Sequence, residues 1–300
     1  MKDYFIDKVL PTTVVGSYPV VKGRGVRNIF DPLHSAVETA VGDQMRAGID
    51  IISDGQVRGD MIQIFAAKLP GIKGQEVIGK VQPAATSITA GDTKYALTKA
   101  PRVKGIITGP TTLAHGLHIS TPMYRNRGEL ALDLAAALAV EARALEAAGV
   151  TLIQIDEPIF STGIADLSAG KQAIERIITS LHIPTCIHVC GDLSNVIDDI
   201  LKIPVNVLDF EFSKNSANIA LFSSRDLSGR MIGFGCVDSA TDAVESVADI
   251  KKRIGKGVEV FGARTMLLDP DCGMRMHTRD AAFAKLKNMV EAAREVRLSL

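Results

Sequence analysis

The stretch ELALDLAAALAVEARALEAAG (129–149), followed by TLIQIDEP (151–158), carries the fold of this chain in miniature. Its first part is rich in Ala, Leu and Glu, which lose little rotamer freedom in a helix. It stops at Gly149, the residue type that best closes a helix in the left-handed conformation. The second part is a short apolar run with little alternation, as expected of a strand covered on both faces. Seven further runs of the same kind occur: TTVVGS (12–17), IDIISDG (49–55), KGIITGP (104–110), TCIHVCG (185–191), VNVLDFEF (205–212), MIGFGCVD (231–238) and TMLLDPDCG (265–273). Helical stretches separate them, the last at about 280–296 with Phe283, Leu286, Met289 and Val290 at helical spacing. Eight such units in 300 residues predict an α/β fold, a single-domain (β/α)8 barrel of the TIM type spanning 1–300. No Pro/Gly/Ser-rich linker divides the chain. The least regular segment, 70–103, reads as an inserted hairpin or loop excursion after the second strand.

Composition narrows the function. The chain is 46% hydrophobic, so a large core can form, and 34 basic residues balance 34 acidic ones. There is no basic stripe, so nucleic acid is not expected as a partner. No apolar run reaches the roughly 18 residues of a membrane span. The opening MKDYFIDKVL has no apolar run of signal-peptide length, and a cytoplasmic protein is expected. The four cysteines are too few for a disulfide scaffold, and in the cytosol thiols near a histidine suggest metal or catalytic chemistry.

The ends of the eight runs carry the information. Nearly every run finishes in polar or small residues: Gly16-Ser17, Asp54-Gly55-Gln56, Asp156-Glu157, His188 and Cys190, Asp209 and Glu211, Asp238, and Asp271-Cys272. In a barrel these ends meet on one face, where active sites are built. In CIHVCG (186–191), strand periodicity puts Cys186, His188 and Cys190 on one face. By itself that spacing also fits ordinary core packing, since buried cysteine is common. Glu211 and Cys272 end later strands, so a His188/Cys190/Glu211/Cys272 set could converge as a zinc site. Cys186 lies two positions deeper and reads as packing, as does Cys236. Asp209 reads as a group behind the ligands. KGRG (22–25) lacks a strand-to-helix frame and reads as a loop rather than a phosphate cradle. Arg58 and Asp60 are expected to line the mouth of the site. His115 and His118 follow the third strand and are weaker lining candidates; His34, His182 and His277 have no ligand-like neighbours in sequence.

The segments VVGSYP (14–19), IQIDEP (153–158), HVCG (188–191), FEFS (210–213) and LDPDCGMR (268–275) resemble the catalytic barrel of the cobalamin-independent methionine synthase family, in a short core form with only the C-terminal barrel. The resemblance implies a methyltransferase in which His188, Cys190, Glu211 and Cys272 bind Zn2+. It implies that homocysteine is held by backbone groups of Gly16 and Ser17 and by Asp156 on its ammonium, and is methylated to methionine. A free thiol is mostly protonated at neutral pH, and coordination to zinc makes it a thiolate nucleophile, so no separate protein nucleophile is required.

Three departures from the family pattern stand out. Gln56 occupies the place of a glutamate that grips the substrate ammonium; it can accept a hydrogen bond but brings no charge. Gly116 stands where the long family has a tryptophan that stacks on the folate pterin, and this chain has no tryptophan at all. A position near Ala240 replaces a histidine that serves in proton delivery to the departing folate. A methylated corrinoid needs neither group, because its leaving group departs unprotonated. The expected donor is therefore methylcobalamin or a corrinoid methyl-carrier protein, not methyltetrahydrofolate. Two other readings are a zinc-dependent transferase acting on another thiol such as coenzyme M, and a non-catalytic binding barrel with a structural zinc.

Overall fold

The computed structural model describes residues 6–23 and 31–300; Arg24 and Gly25 of the KGRG stretch lie outside the described residues. Each of the eight apolar runs supplies one strand position. The first two, β1 (12–13) and β2 (51–52), are held by single parallel bridges. The other six are β3 (Lys104–Thr108), β4 (Leu152–Asp156), β5 (Thr185–Val189), β6 (Val207–Glu211), β7 (Met231–Val237) and β8 (Met266–Pro270), all parallel and paired in chain order. Thr12 bridges Leu268, Thr13 bridges Ile51 and Ile52 bridges Val103, which carries the pairing around from β8 to β3 and closes the barrel.

The outer helices are α1 (His34–Ala47), α2 (Ala90–Leu97), α3 (Arg127–Ala148), α4 (Leu167–Ile178), α5 (Val247–Phe261) and α6 (Arg279–Leu298), with shorter helical turns after β5 and β6. In α3 the Asn126 side chain accepts from the Glu129 N–H, and Gly149 closes the helix at φ 95°. Leu130, Leu134, Leu138 and Leu145 form its buried stripe.

The 70–103 segment is more ordered than its sequence suggests. Ile72–Lys73 pairs antiparallel with Glu76–Val77, which pairs in parallel with His118–Ile119 beyond β3. The segment also contains α2, and the residues that lead into it are held from outside. The Glu141 carboxylate on α3 accepts from the Ile88 and Thr89 N–H groups and from the Ser87 and Thr89 hydroxyls. An anchor that lies on a different helix leaves no local signal.

Side chains pointing into the barrel form tiers. Ile51, Leu152, Cys186, Val207, Met231 and Leu267 make an apolar plug at the bottom. Two residues further along their strands the interior turns polar, with Gln154, His188, Asp209 and Asp269 all buried, and the buried Lys104, in register with Leu152, reaches up to Gln154. Gly233 makes room there, because a Cβ on it would lie 2.6 Å from the Asp209 side chain. The functional side chains sit at and above this polar tier, at the C-terminal ends of the strands.

Candidate metal and substrate site

His188, Cys190 and Cys272 bring one ligand atom each to within 4.8 Å of one another. His188 comes from β5, Cys190 follows it, and Cys272 lies just past β8. The turn carrying Cys272 is built for close approach. A Cβ on Gly273 would lie 2.1 Å from the Ser17 hydroxyl, and the Met274 N–H donates to the Ser17 carbonyl at 2.8 Å. The loop after β1 and the loop after β8 are thereby locked together.

His188 is buried, yet among the described residues neither ring nitrogen has a partner in good hydrogen-bond geometry. Such atoms are rare and call for an explanation. Asp209 Oδ2 lies 3.3 Å from Nδ1 behind the ring, and the strand register places Asp156 and Asp209 on either side of His188. The Cys272 thiol is pushed down by the hydrogen bond from Cys190 and by His188, while the same contact pushes Cys190 up. One imidazole and two thiols, one of them disposed to ionise, form a donor set that suits zinc.

Glu211 stands outside this trio. Its Oε2 accepts from the Gly191 N–H at 3.1 Å and its Oε1 from the Asn215 amide at 2.7 Å. Burial raises its carboxyl, opposed by the Gly191 N–H, and Cys272 lies within electrostatic reach and adds to the rise. Asp271, beside Cys272, is buried and holds the loop that follows Glu211. Its carboxylate accepts from the N–H groups of Phe212, Ser213 and Lys214. Asn218 adds a second clamp, donating to the carbonyls of Gly191 and Glu211.

A cavity of about 260 Å³ opens over the trio. Ser17, Gln56, Asp156, His188, Cys190 and Cys272 all line it. Gly16 lies behind Ser17, where a Cβ would come within 3.0 Å of Gln56 Oε1. Gln56 adopts φ 44°, an uncommon left-handed backbone for a side-chain-bearing residue. Its N–H donates to Asp54 and its carbonyl accepts from Arg275 at 2.9 Å, which fixes this conformation. Burial pushes the Asp156 carboxyl up to about 6, opposed by His188 and by the Gln154 amide.

Some expectations about lining residues are corrected. Asp60 lines the cavity, but Arg58 does not; its guanidinium is held by Asp31 and Asp92. His115 lines a separate cavity of about 460 Å³ between the starts of α3 and α4, and His118 is exposed in the small sheet. Cys186 belongs to the apolar plug and Cys236 to the main core. Met61, Arg275 and Met276 line the site without having been singled out in the sequence. Nor were Lys104 and Gln154, although each is a polar residue at an inward position of a strand, which is a readable signal.

The family model for the cobalamin-independent synthase catalytic domain matches residues 10–295. A methionine synthase of Methanothermobacter marburgensis is 42% identical over 308 residues, covering 95% of this chain and 99% of that protein. One from Methanocaldococcus jannaschii is 42% identical over 96% of this chain and 99% of its own length. Among solved structures, a B12-independent methionine synthase from Shewanella sp. W3-18-1 in complex with selenomethionine superposes with a TM-score of 0.88 at 24% identity, over 98% of this chain and 100% of that one. A methyltransferase from Methanosarcina mazei does so at 0.68 and 17% identity, over 97% and 95%. The chain therefore belongs to the cobalamin-independent methionine synthase family and matches its catalytic domain.

Proposed function

We propose that this protein methylates homocysteine to methionine at a zinc ion held by His188, Cys190 and Cys272, with Glu211 as the fourth ligand. The observation that carries the metal assignment is the trio itself, two thiols around a buried imidazole that Asp209 backs at Nδ1. Zinc bound there would lower the pKa of an entering thiol, so that sulfur is nucleophilic at neutral pH. The remaining work falls to the chain. Asp156 lines the cavity beside His188, and its carboxylate suits the substrate ammonium. Ser17 and the backbone of Gly16 face the other end of the amino acid head, and Gln56 supplies an uncharged polar contact. The cavity walls restrict water around the sulfur.

The methyl donor in this reading is methylcobalamin or a methylated corrinoid protein. Two features support it. A Cβ on Gly116 would lie 2.7 Å from Ile62 Cδ1, so Ile62 fills the space into which a pterin-stacking ring would extend. Ala240, at the place of the proton-delivering histidine, is exposed and carries no titratable group. Zinc-loaded enzyme given homocysteine should turn over with methylcobalamin and not with methyltetrahydrofolate. Efficient turnover with the folate alone would overturn the donor assignment, and full activity after zinc removal would overturn the metal assignment.

A further inference from the structure

We infer that Gln154, locked by the buried Lys104, is a positioning residue that aims Asp156 at the substrate ammonium. The inference rests on the reading of Asp156 given above. Lys104 and Gln154 are essentially inaccessible, at 1% and 0% exposure, deep in the barrel. Lys104 Nζ donates to Gln154 Oε1. Gln154 Nε2 donates to the Val15 carbonyl at 2.8 Å and to Asp156 Oδ1 at 2.6 Å.

The orientation of this amide follows from its partners. An ammonium group can only donate, so the amide oxygen must face Lys104. A backbone carbonyl can only accept, so the amide nitrogen must face Val15. The second hydrogen on that nitrogen is then directed at Asp156. A turned amide would set NH2 against NH3+ and oxygen against two oxygens, which the buried setting penalises. Asp156 therefore receives a donor on Oδ1 from below and keeps Oδ2 free for the cavity above. Val15 also lines the cavity, so the amide ties the loop after β1 to β4 on the substrate side.

None of these hydrogen bonds reaches His188, Cys190 or Cys272, so the loss of the Gln154 amide should be selective. Gln154→Met removes the donor at similar volume. The paired change Lys104→Met with Gln154→Met avoids leaving a buried ammonium without an acceptor. Binding is measured by calorimetry on the zinc-loaded protein with two thiols of equal chain length, homocysteine and 4-mercaptobutanoate, which lacks the ammonium. Both variants should bind homocysteine about tenfold more weakly, while 4-mercaptobutanoate changes less than twofold and zinc stoichiometry is unchanged. Equal weakening of both thiols, or of neither, would overturn the inference. Asp156→Asn is run alongside. If it too fails to separate the two thiols, the assignment of Asp156 to the ammonium falls. If it separates them and the Gln154 variants do not, only the positioning role falls.

Discussion

Asp271 offers a quantitative check on how the site is held together. It is 1% exposed, and its Oδ1 accepts from Phe212 N–H at 3.1 Å and Ser213 N–H at 2.8 Å, while Oδ2 accepts from Lys214 N–H at 2.8 Å. These bonds tie the segment after Glu211 to the turn that carries Cys272. Burial pushes the Asp271 carboxyl up to about 8 despite these donors, so near neutral pH it is largely uncharged and its bonds contribute roughly 0.5–1.5 kcal/mol each; the three are not equal here. Phe212 N–H also reaches the Gly235 carbonyl at 3.2 Å, and Lys214 is exposed, so water can take its N–H. Only the half-buried Ser213 N–H is stranded when the carboxylate is removed. Asp271→Ala should therefore cost about 2 kcal/mol, chiefly the penalty of the stranded Ser213 N–H. Asp271→Asn can keep Oδ1 with its two donors and should cost about 1 kcal/mol. Chemical denaturation of the metal-free protein gives both numbers. Zinc affinity, measured by competition with a chelator, should fall about tenfold or more for the alanine variant, as expected when groups that orient ligands are lost. A cost below about 1 kcal/mol for Asp271→Ala with zinc affinity intact would refute this account. So would an asparagine variant as damaged as the alanine one.

Further outcomes are expected. Cys190→Ser and Cys272→Ser should each lose bound zinc by elemental analysis, while Cys186→Ser and Cys236→Ser should keep it and lose stability only. Gly273→Ala places a Cβ 2.1 Å from the Ser17 hydroxyl, so homocysteine binding should weaken severalfold by calorimetry with zinc content unchanged. Burial pushes the Asp54 carboxyl up to about 6, above its value in an unfolded chain. The protonated form is thus favoured by folding, and its contribution is fully present below about pH 4 and lost as pH rises through 6. Asp54→Asn should flatten the fall in stability across that window by about 2–3 kcal/mol, read from denaturation at a series of pH values.

Much of this protein is legible in one dimension, because strand and helix periodicities are local. Eight apolar runs separated by helical stretches suffice for a parallel barrel, since a parallel sheet must be covered on both faces and its strand ends must share a side. That rule also orders CIHVCG: two-residue spacing puts Cys186 in the plug and His188 and Cys190 above it. Contacts made at long range escape such reading. The anchoring of Ile88 and Thr89, just ahead of α2, by Glu141 has no trace near α2, so the sequence of this segment reads as an excursion. Arg58 could not be told from a mouth residue until Asp31 and Asp92 were seen to hold it. Which strand-end groups meet depends on register, and a carboxylate goes to whichever donors are nearest in space. Tertiary structure alone thus places Glu211 against Gly191 and Asn215 rather than within the trio, and commits Asp271 to three backbone N–H groups. It alone buries Lys104 beneath Asp156, because an inward position says that a side chain enters the barrel but not whom it meets there.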